Sequence, residues 1–67
     1  MSESNISKNI KKHRTKLGLS QEEFAQKSGV KYTTLTKIES EVIKTPSVLI
    51  TAKIAKALGV SIEELLK

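Results

Sequence analysis

The chain has 67 residues, the length of one small domain, and 37% of them are hydrophobic. It contains no Cys and a single His, which excludes disulfides, thiolate catalysis and the usual cysteine or multi-histidine metal sites. Twelve basic residues against seven acidic residues give a net charge of +5, which is equally compatible with a polyanionic partner such as nucleic acid and with a lysine-rich solubility surface.

The sequence carries no membrane or export signal. No apolar run approaches the length of a membrane span, and residues 1–5 lack the character of a signal peptide. We therefore expect a cytoplasmic protein.

The first predicted helix covers about residues 5–17. Its apolar stripe consists of Ile6, Ile10, His13 and Leu17, spaced by four, three and four residues, and Gly18 ends it. The opposite face is basic and carries Lys8, Lys11, Lys12 and Lys16.

A capping box predicts the second helix, over about residues 21–28. The hydroxyl of Ser20 is expected to accept from the amide of Glu23, whose side chain reaches back. Phe24 and Ala25 face inward, and Gly29 ends the helix.

A third helix is predicted from about Tyr32 to Glu39. Leu35 and Ile38 form its inner face, with Val30 and Val42 as flanking anchors. The Tyr and three Thr of this segment have strand propensity, but a single short strand would have no partner in this chain. The outer face of this helix is polar and mostly uncharged, which is unusual for a solvated helix.

Two further helices complete the prediction. Thr45 and Pro46 suggest a cap followed by Pro in the first turn of a helix from about Ser47 to Leu58, which Gly59 ends. A second capping box, formed by Ser61 and Glu64, opens a last turn or two through Leu65 and Leu66. We expect one all-α domain over residues 1–67, with a short flexible N-terminus at about residues 1–4.

Several spaced blocks resemble the Cro/CI-type (Xre) helix-turn-helix family. They are LGLSQEEFA at 17–25, GV at 29–30, LTKIE at 35–39 and KIAKALGVS at 53–61. The resemblance implies a compact five-helix, lambda-repressor-like domain with phage-repressor-like loop spacing. Helices 2 and 3 would form the helix-turn-helix, with helix 2 across the DNA backbone and helix 3 in the major groove.

The family also implies a function. Its members are sequence-specific regulators of transcription that bind double-stranded DNA, commonly as homodimers on two-fold operators. A repressor or autoregulator is expected here, and a phage repressor, an antitoxin-type autoregulator and a restriction-modification controller all remain open.

The resemblance assigns roles to seven DNA-binding residues. Gln21 and Lys44 match phosphate contacts on either side of the groove. Positions that read bases correspond to Tyr32, Thr33 and Lys37, and positions that reach either the backbone or base edges correspond to Lys31 and Thr34.

The phage-repressor branch also has a partly buried ion pair at the positions of Arg14 and Glu39. We expect the same pair here, because Arg14 is the only Arg beside eleven Lys, and a planar bidentate partner favours Arg. A solvated surface Arg is the alternative.

The sequence departs from the family at two places. Lys31 stands where many members have a Ser or Thr cap, so the third helix should be poorly capped unless a DNA phosphate occupies its N-terminus. Leu49 and Ile50 are apolar where polar residues are common. They either pack in a slightly different core or form a dimer surface, to which Leu65 and Leu66 would contribute.

A protein-interaction module with the same fold is the alternative function. We expect no enzyme: His13 lies on an apolar stripe without a partner carboxylate, and the Glu pairs at 22–23 and 63–64 are explained by capping and the helix dipole. No metal, cofactor, small-molecule ligand or membrane role is expected.

Overall fold

The computed structural model describes residues 5–67, and the N-terminal segment predicted to be flexible, at about residues 1–4, lies outside this range. The described chain forms helices and connecting loops without a strand, so the all-α, five-helix prediction is confirmed. In chain order the helices are α1 (Ile6–Lys16), α2 (Gln21–Ser28), α3 (Tyr32–Glu39), α4 (Val48–Leu58) and α5 (Ile62–Leu66).

The capping box predicted for α2 is complete. The Glu23 amide donates to Ser20 Oγ at 3.1 Å, and the Ser20 amide donates to Glu23 Oε1 at 2.9 Å. At the other end, Gly29 has a φ of 77° and donates its N–H to Ala25 O at 3.0 Å. These two end signals explain why α2 has the predicted bounds.

The ends of α4 and α5 differ from the prediction. The cap of α4 is Ser47, whose Oγ accepts from the Ile50 amide at 3.2 Å, so the cap predicted at Thr45 was wrong. Ser61 does cap α5, but the Glu64 carboxylate accepts from Lys67 Nζ at 3.0 Å instead of completing a capping box.

One hydrophobic core lies between the helices, and Phe24 of α2 is its largest fully buried side chain. α2 packs against α3 and α4, while α1 packs against α3 and α5. The fully buried large side chains are Phe24, Ile10, Leu35, Ile38, Ile54 and Leu65. Burying each contributes about 1.5–3 kcal/mol, which is the main stabilisation available to a chain without disulfides.

The inner stripe of α1 runs through Ile6, Ile10 and Arg14. Leu17, predicted to belong to it, is 51% exposed because α1 ends at Lys16 and Arg14 takes the inward position one turn earlier. Val42, predicted as an anchor for α3, is likewise exposed, because it lies in the loop after the helix.

Two asparagines of the N-terminal region hold the C-terminal end of α5. Asn9 Nδ2 donates to Leu65 O at 2.8 Å, and Asn5 Nδ2 donates to Lys67 O at 2.6 Å. These bonds satisfy carbonyls that have no partner inside the helix. None of the described helices is long and apolar enough to cross a membrane.

Candidate DNA interface

A tight turn joins α2 to α3 and sets their relative position. Gly29 adopts the left-handed conformation, which costs glycine little and other residues more. The next residue, Val30, is buried in the core, and Ala25 is the buried small residue of α2. The turn and these contacts fix α3 against α2.

The outer face of α3 is polar and accessible. Leu35 and Ile38 are fully buried and hold the helix to the core. On the outside, Tyr32, Thr33 and Lys37 are exposed, and each has a group able to bond to a base edge or a phosphate. All three predicted base-reading residues are therefore accessible at the surface of α3.

The remaining polar residues of α3 are less free. Thr34 is half-buried, and Thr36 Oγ1 donates to Thr33 O at 2.8 Å within the helix.

At the start of α3, the exposed Lys31 occupies the cap position and makes no side-chain cap bond. The first turn of α3 therefore lacks the side-chain acceptor that Ser20 supplies to α2.

Arg14 and Glu39 form a largely buried pair, with side chains 9% and 3% exposed. Arg14 Nε donates to Glu39 Oε2 at 2.7 Å, and Arg14 Nη2 donates to Glu39 Oε1 at 3.0 Å. Arg14 Nη1 donates to Leu19 O at 2.7 Å. One guanidinium thus joins α1, the loop before α2 and the last residue of α3.

Gln21, the first residue of α2, belongs to the same cluster. Its Nε2 donates to Glu39 Oε1 at 3.0 Å, and the side chain is half-buried. The family resemblance assigned Gln21 a phosphate contact but did not indicate this bond. No spacing rule joins residues 18 positions apart, so the sequence held no signal for it.

Lys44 lies in the loop between α3 and α4, where it is exposed. The Ile43 amide donates to Lys37 O at 3.0 Å, and this bond holds the loop against the end of α3. Glu41, in the same loop, has a φ of 68°, a conformation that side-chain-bearing residues adopt at a cost. Lys44 is therefore presented from a loop that is anchored to α3.

The two residues considered for a dimer surface differ in how far they are exposed. Leu49 is 68% exposed, whereas Ile50 is partly buried against the core. Leu65 is fully buried, so it cannot contribute to such a surface, but Leu66 is exposed. Val48 and Leu66 line a groove of about 250 Å³ between the start of α4 and α5.

No group of three or more His, Asp or Glu residues within the described range is placed to hold a metal ion. His13 is partly exposed at the edge of α1.

Comparisons with known proteins agree on one family. A helix-turn-helix family model matches residues 10–65. The chain is similar to a crystal structure of SinR, the master regulator for biofilm formation, in complex with DNA: the identity is 35%, the TM-score 0.89, and the match covers 92% of this chain and 98% of that one. It is equally similar to the N-terminal DNA-binding domain of SinR from Bacillus subtilis, with 35% identity, a TM-score of 0.89, and coverage of 92% and 90%. The comparison with curated proteins gave no significant match.

Proposed function

The chain belongs to the Xre (Cro/CI-type) helix-turn-helix family, and we propose that it is a sequence-specific regulator of transcription that binds double-stranded DNA. The likeness to a SinR structure described as a DNA complex, at 35% identity over 92% of the chain, supports this. A regulator of this kind acts on DNA in the cytoplasm.

The outer face of α3 carries the proposal. Tyr32, Thr33 and Lys37 are polar and exposed, while Leu35 and Ile38 are fully buried and hold the helix to the core. An α-helix fits the major groove, where each base pair presents a distinct set of donors and acceptors. We assign α3 to that groove as the recognition helix.

Three side chains of α3 would read bases. Lys37 can donate to guanine O6 and N7, and the methyl group of Thr33 can contact a thymine methyl. Tyr32 can contact a methyl group or donate its hydroxyl to a phosphate. All three are exposed in the structure.

Contacts to phosphates would position the domain on the duplex. Lys44 would reach the backbone from the loop after α3, and Gln21 from the start of α2. Lys31 and Thr34, in or beside the first turn of α3, would contact either a phosphate or a base edge. The exposed lysines supply the salt-dependent part of the affinity.

A homodimer on a two-fold operator is part of the proposal. Leu49 is the exposed one of the two residues considered for its interface, and Val48, beside it, is 77% exposed. Large exposed apolar side chains in a protein of this size favour a contact with a second copy. Leu49→Asp should shift the protein towards monomer in analytical ultracentrifugation with operator DNA present, whereas Ile62→Ser, on the α5 side of the groove, should shift it less.

Repression or autoregulation is the simplest mode of action, because a domain bound across a promoter blocks access without a further contact. Phage, antitoxin and restriction-modification contexts are all compatible with this mode.

An electrophoretic shift assay tests the proposed function against the protein-interaction alternative. We expect the chain to shift duplex DNA more strongly than either separated strand at about 150 mM salt. Thr33→Ala should alter the preference among duplexes while the fold stays intact. Equal and negligible binding to all nucleic acids would favour a module that binds another protein.

A further inference from the structure

We propose that Glu39, besides pairing with Arg14, positions the side-chain amide of Gln21 for a DNA phosphate. Glu39 is thus a positioning residue for DNA binding, although its own carboxylate touches no DNA. The inference rests on the proposed function, since it concerns how one phosphate contact is made.

The geometry fixes the orientation of the Gln21 amide. The Glu39 carboxylate accepts from Arg14 through both oxygens, and Oε1 also accepts from Gln21 Nε2 at 3.0 Å. A carboxylate can only accept, so the nitrogen of Gln21 and not its oxygen must face Glu39. Arg14 in turn holds the carboxylate, because its guanidinium is anchored on Leu19 O at 2.7 Å.

The second hydrogen on Gln21 Nε2 is the one available to bind DNA. An amide nitrogen carries two hydrogens, and the bond to Glu39 uses one. The side chain is only half-buried, so the other hydrogen can donate to a phosphate oxygen at the surface. Without Glu39 the Gln21 amide could rotate so that its oxygen points outward. That oxygen and the phosphate oxygen are both acceptors, so they could not form a hydrogen bond.

The direction in which Glu39→Gln changes the DNA affinity distinguishes the positioning role from simple electrostatic repulsion. Glu39 carries a negative charge at the end of the helix assigned to the major groove. Neutralising a carboxylate near DNA should strengthen binding, because the phosphates repel it. The positioning role predicts that Glu39→Gln weakens binding instead, because a neutral amide at position 39 no longer dictates which way Gln21 points.

A double-mutant cycle tests the coupling, with duplex affinities measured at a temperature at which each variant is folded. Gln21→Ala should weaken binding about ten-fold on every duplex, the loss expected for one hydrogen bond to a charged group. The slope of log affinity against log salt should be the same for Gln21→Ala as for the wild type, since Gln carries no charge. Glu39→Gln should weaken binding in the wild-type background and have no effect, or strengthen binding, in the Gln21→Ala background. An equal loss in both backgrounds would overturn the inference.

A measurement on the wild-type chain covers the case in which Glu39→Gln does not fold. The two Nε2 protons of Gln21 can be assigned in a ¹⁵N-resolved NMR spectrum by their absence from Gln21→Ala. We expect added duplex to shift the proton that faces solvent far more than the proton bonded to Glu39. Two unshifted protons in a bound sample would refute the inference alone, whereas a wild-type chain that binds no duplex would overturn the proposed function with it.

Discussion

Arg14 and Glu39, 25 residues apart in the chain, are joined by two hydrogen bonds of 2.7 and 3.0 Å. The pair links the last turn of α1 to the last residue of α3, so the helix that carries the candidate base-reading residues is tied to the first helix by a nearly buried contact. Fold stability and the placement of α3 therefore depend on the same ion pair.

Arg14→Ala should lower the free energy of unfolding by about 3 kcal/mol, because it leaves the Glu39 carboxylate buried without its charged partner. The free energy of unfolding of Arg14→Lys should lie between those of the wild type and Arg14→Ala, since an ammonium cannot make both hydrogen bonds to the Glu39 carboxylate in the planar geometry of the guanidinium. Urea unfolding followed by circular dichroism measures both. Lys11→Ala, an exposed neighbour on α1, is the control and should change stability by less than about 0.5 kcal/mol. An Arg14→Ala variant as stable as the wild type would show that the pair is not structural.

The contact between Asn9 and the end of α5 offers a second test of the fold. Asn9→Ala should destabilise the protein by about 1 kcal/mol, the net value of one hydrogen bond. Asn9→Asp should cost more than Asn9→Ala, because a carboxylate would face the Leu65 carbonyl, 2.8 Å from the present amide nitrogen, at the negative end of a helix. Thermal unfolding of both variants measures the difference. If Asn9→Asp were the more stable of the two, the amide would not be the donor.

The left-handed backbone at Glu41 predicts a stabilising change. Glu41→Gly should raise the free energy of unfolding by up to about 1 kcal/mol, because glycine adopts a φ of 68° without the penalty that a Cβ brings. Glu41→Gln removes the charge but retains the Cβ, so it is the matched control and should change stability little. Equal stabilisation by both variants would attribute the gain to charge instead of backbone conformation.

Substitution of two lysines, Lys44 and Lys37, should distinguish a phosphate contact from a base contact. Lys44→Ala is expected to reduce the slope of log affinity against log salt by about 0.9 and to weaken all duplexes alike. Lys37→Ala should instead reduce discrimination between preferred and altered duplexes, by about 1–3 kcal/mol for one lost base contact. Fluorescence anisotropy over a salt series measures both effects, with Lys53→Ala on α4 as a charge control. A uniform loss for Lys37→Ala would remove that residue from the base-reading set.

The helical framework was predictable where the chain carries local end signals. Ser20 with Glu23 at one end and Gly29 at the other determine α2, and its predicted bounds are confirmed. α3 was harder, because its propensity favours a strand; a helix was predicted because a single short strand would have no partner, and the spacing of Leu35 and Ile38 gave its inner face. Local capping and periodicity were sufficient because each acts within a few residues.

Apart from the caps of α4 and α5, the errors concern side chains whose positions depend on the folded chain. Leu17 continues the apolar spacing of α1 but lies beyond the end of the helix, while Arg14 is buried because Glu39 and Leu19 O meet it there. A hydrophobic pattern cannot assign a charged residue to the interior, and the burial of Arg14 was expected only from the family resemblance. The bond from Gln21 to Glu39 likewise depends on how α2 meets α3, which no local signal specifies.

Selection of bound duplexes from a random pool at about 150 mM salt, followed by sequencing, tests the central claim most directly. The claim predicts an enriched two-fold motif with half-sites about one helical turn apart, since each copy would place its α3 in successive major grooves on one face of the DNA. A pool indistinguishable from the input would contradict a sequence-specific DNA-binding regulator.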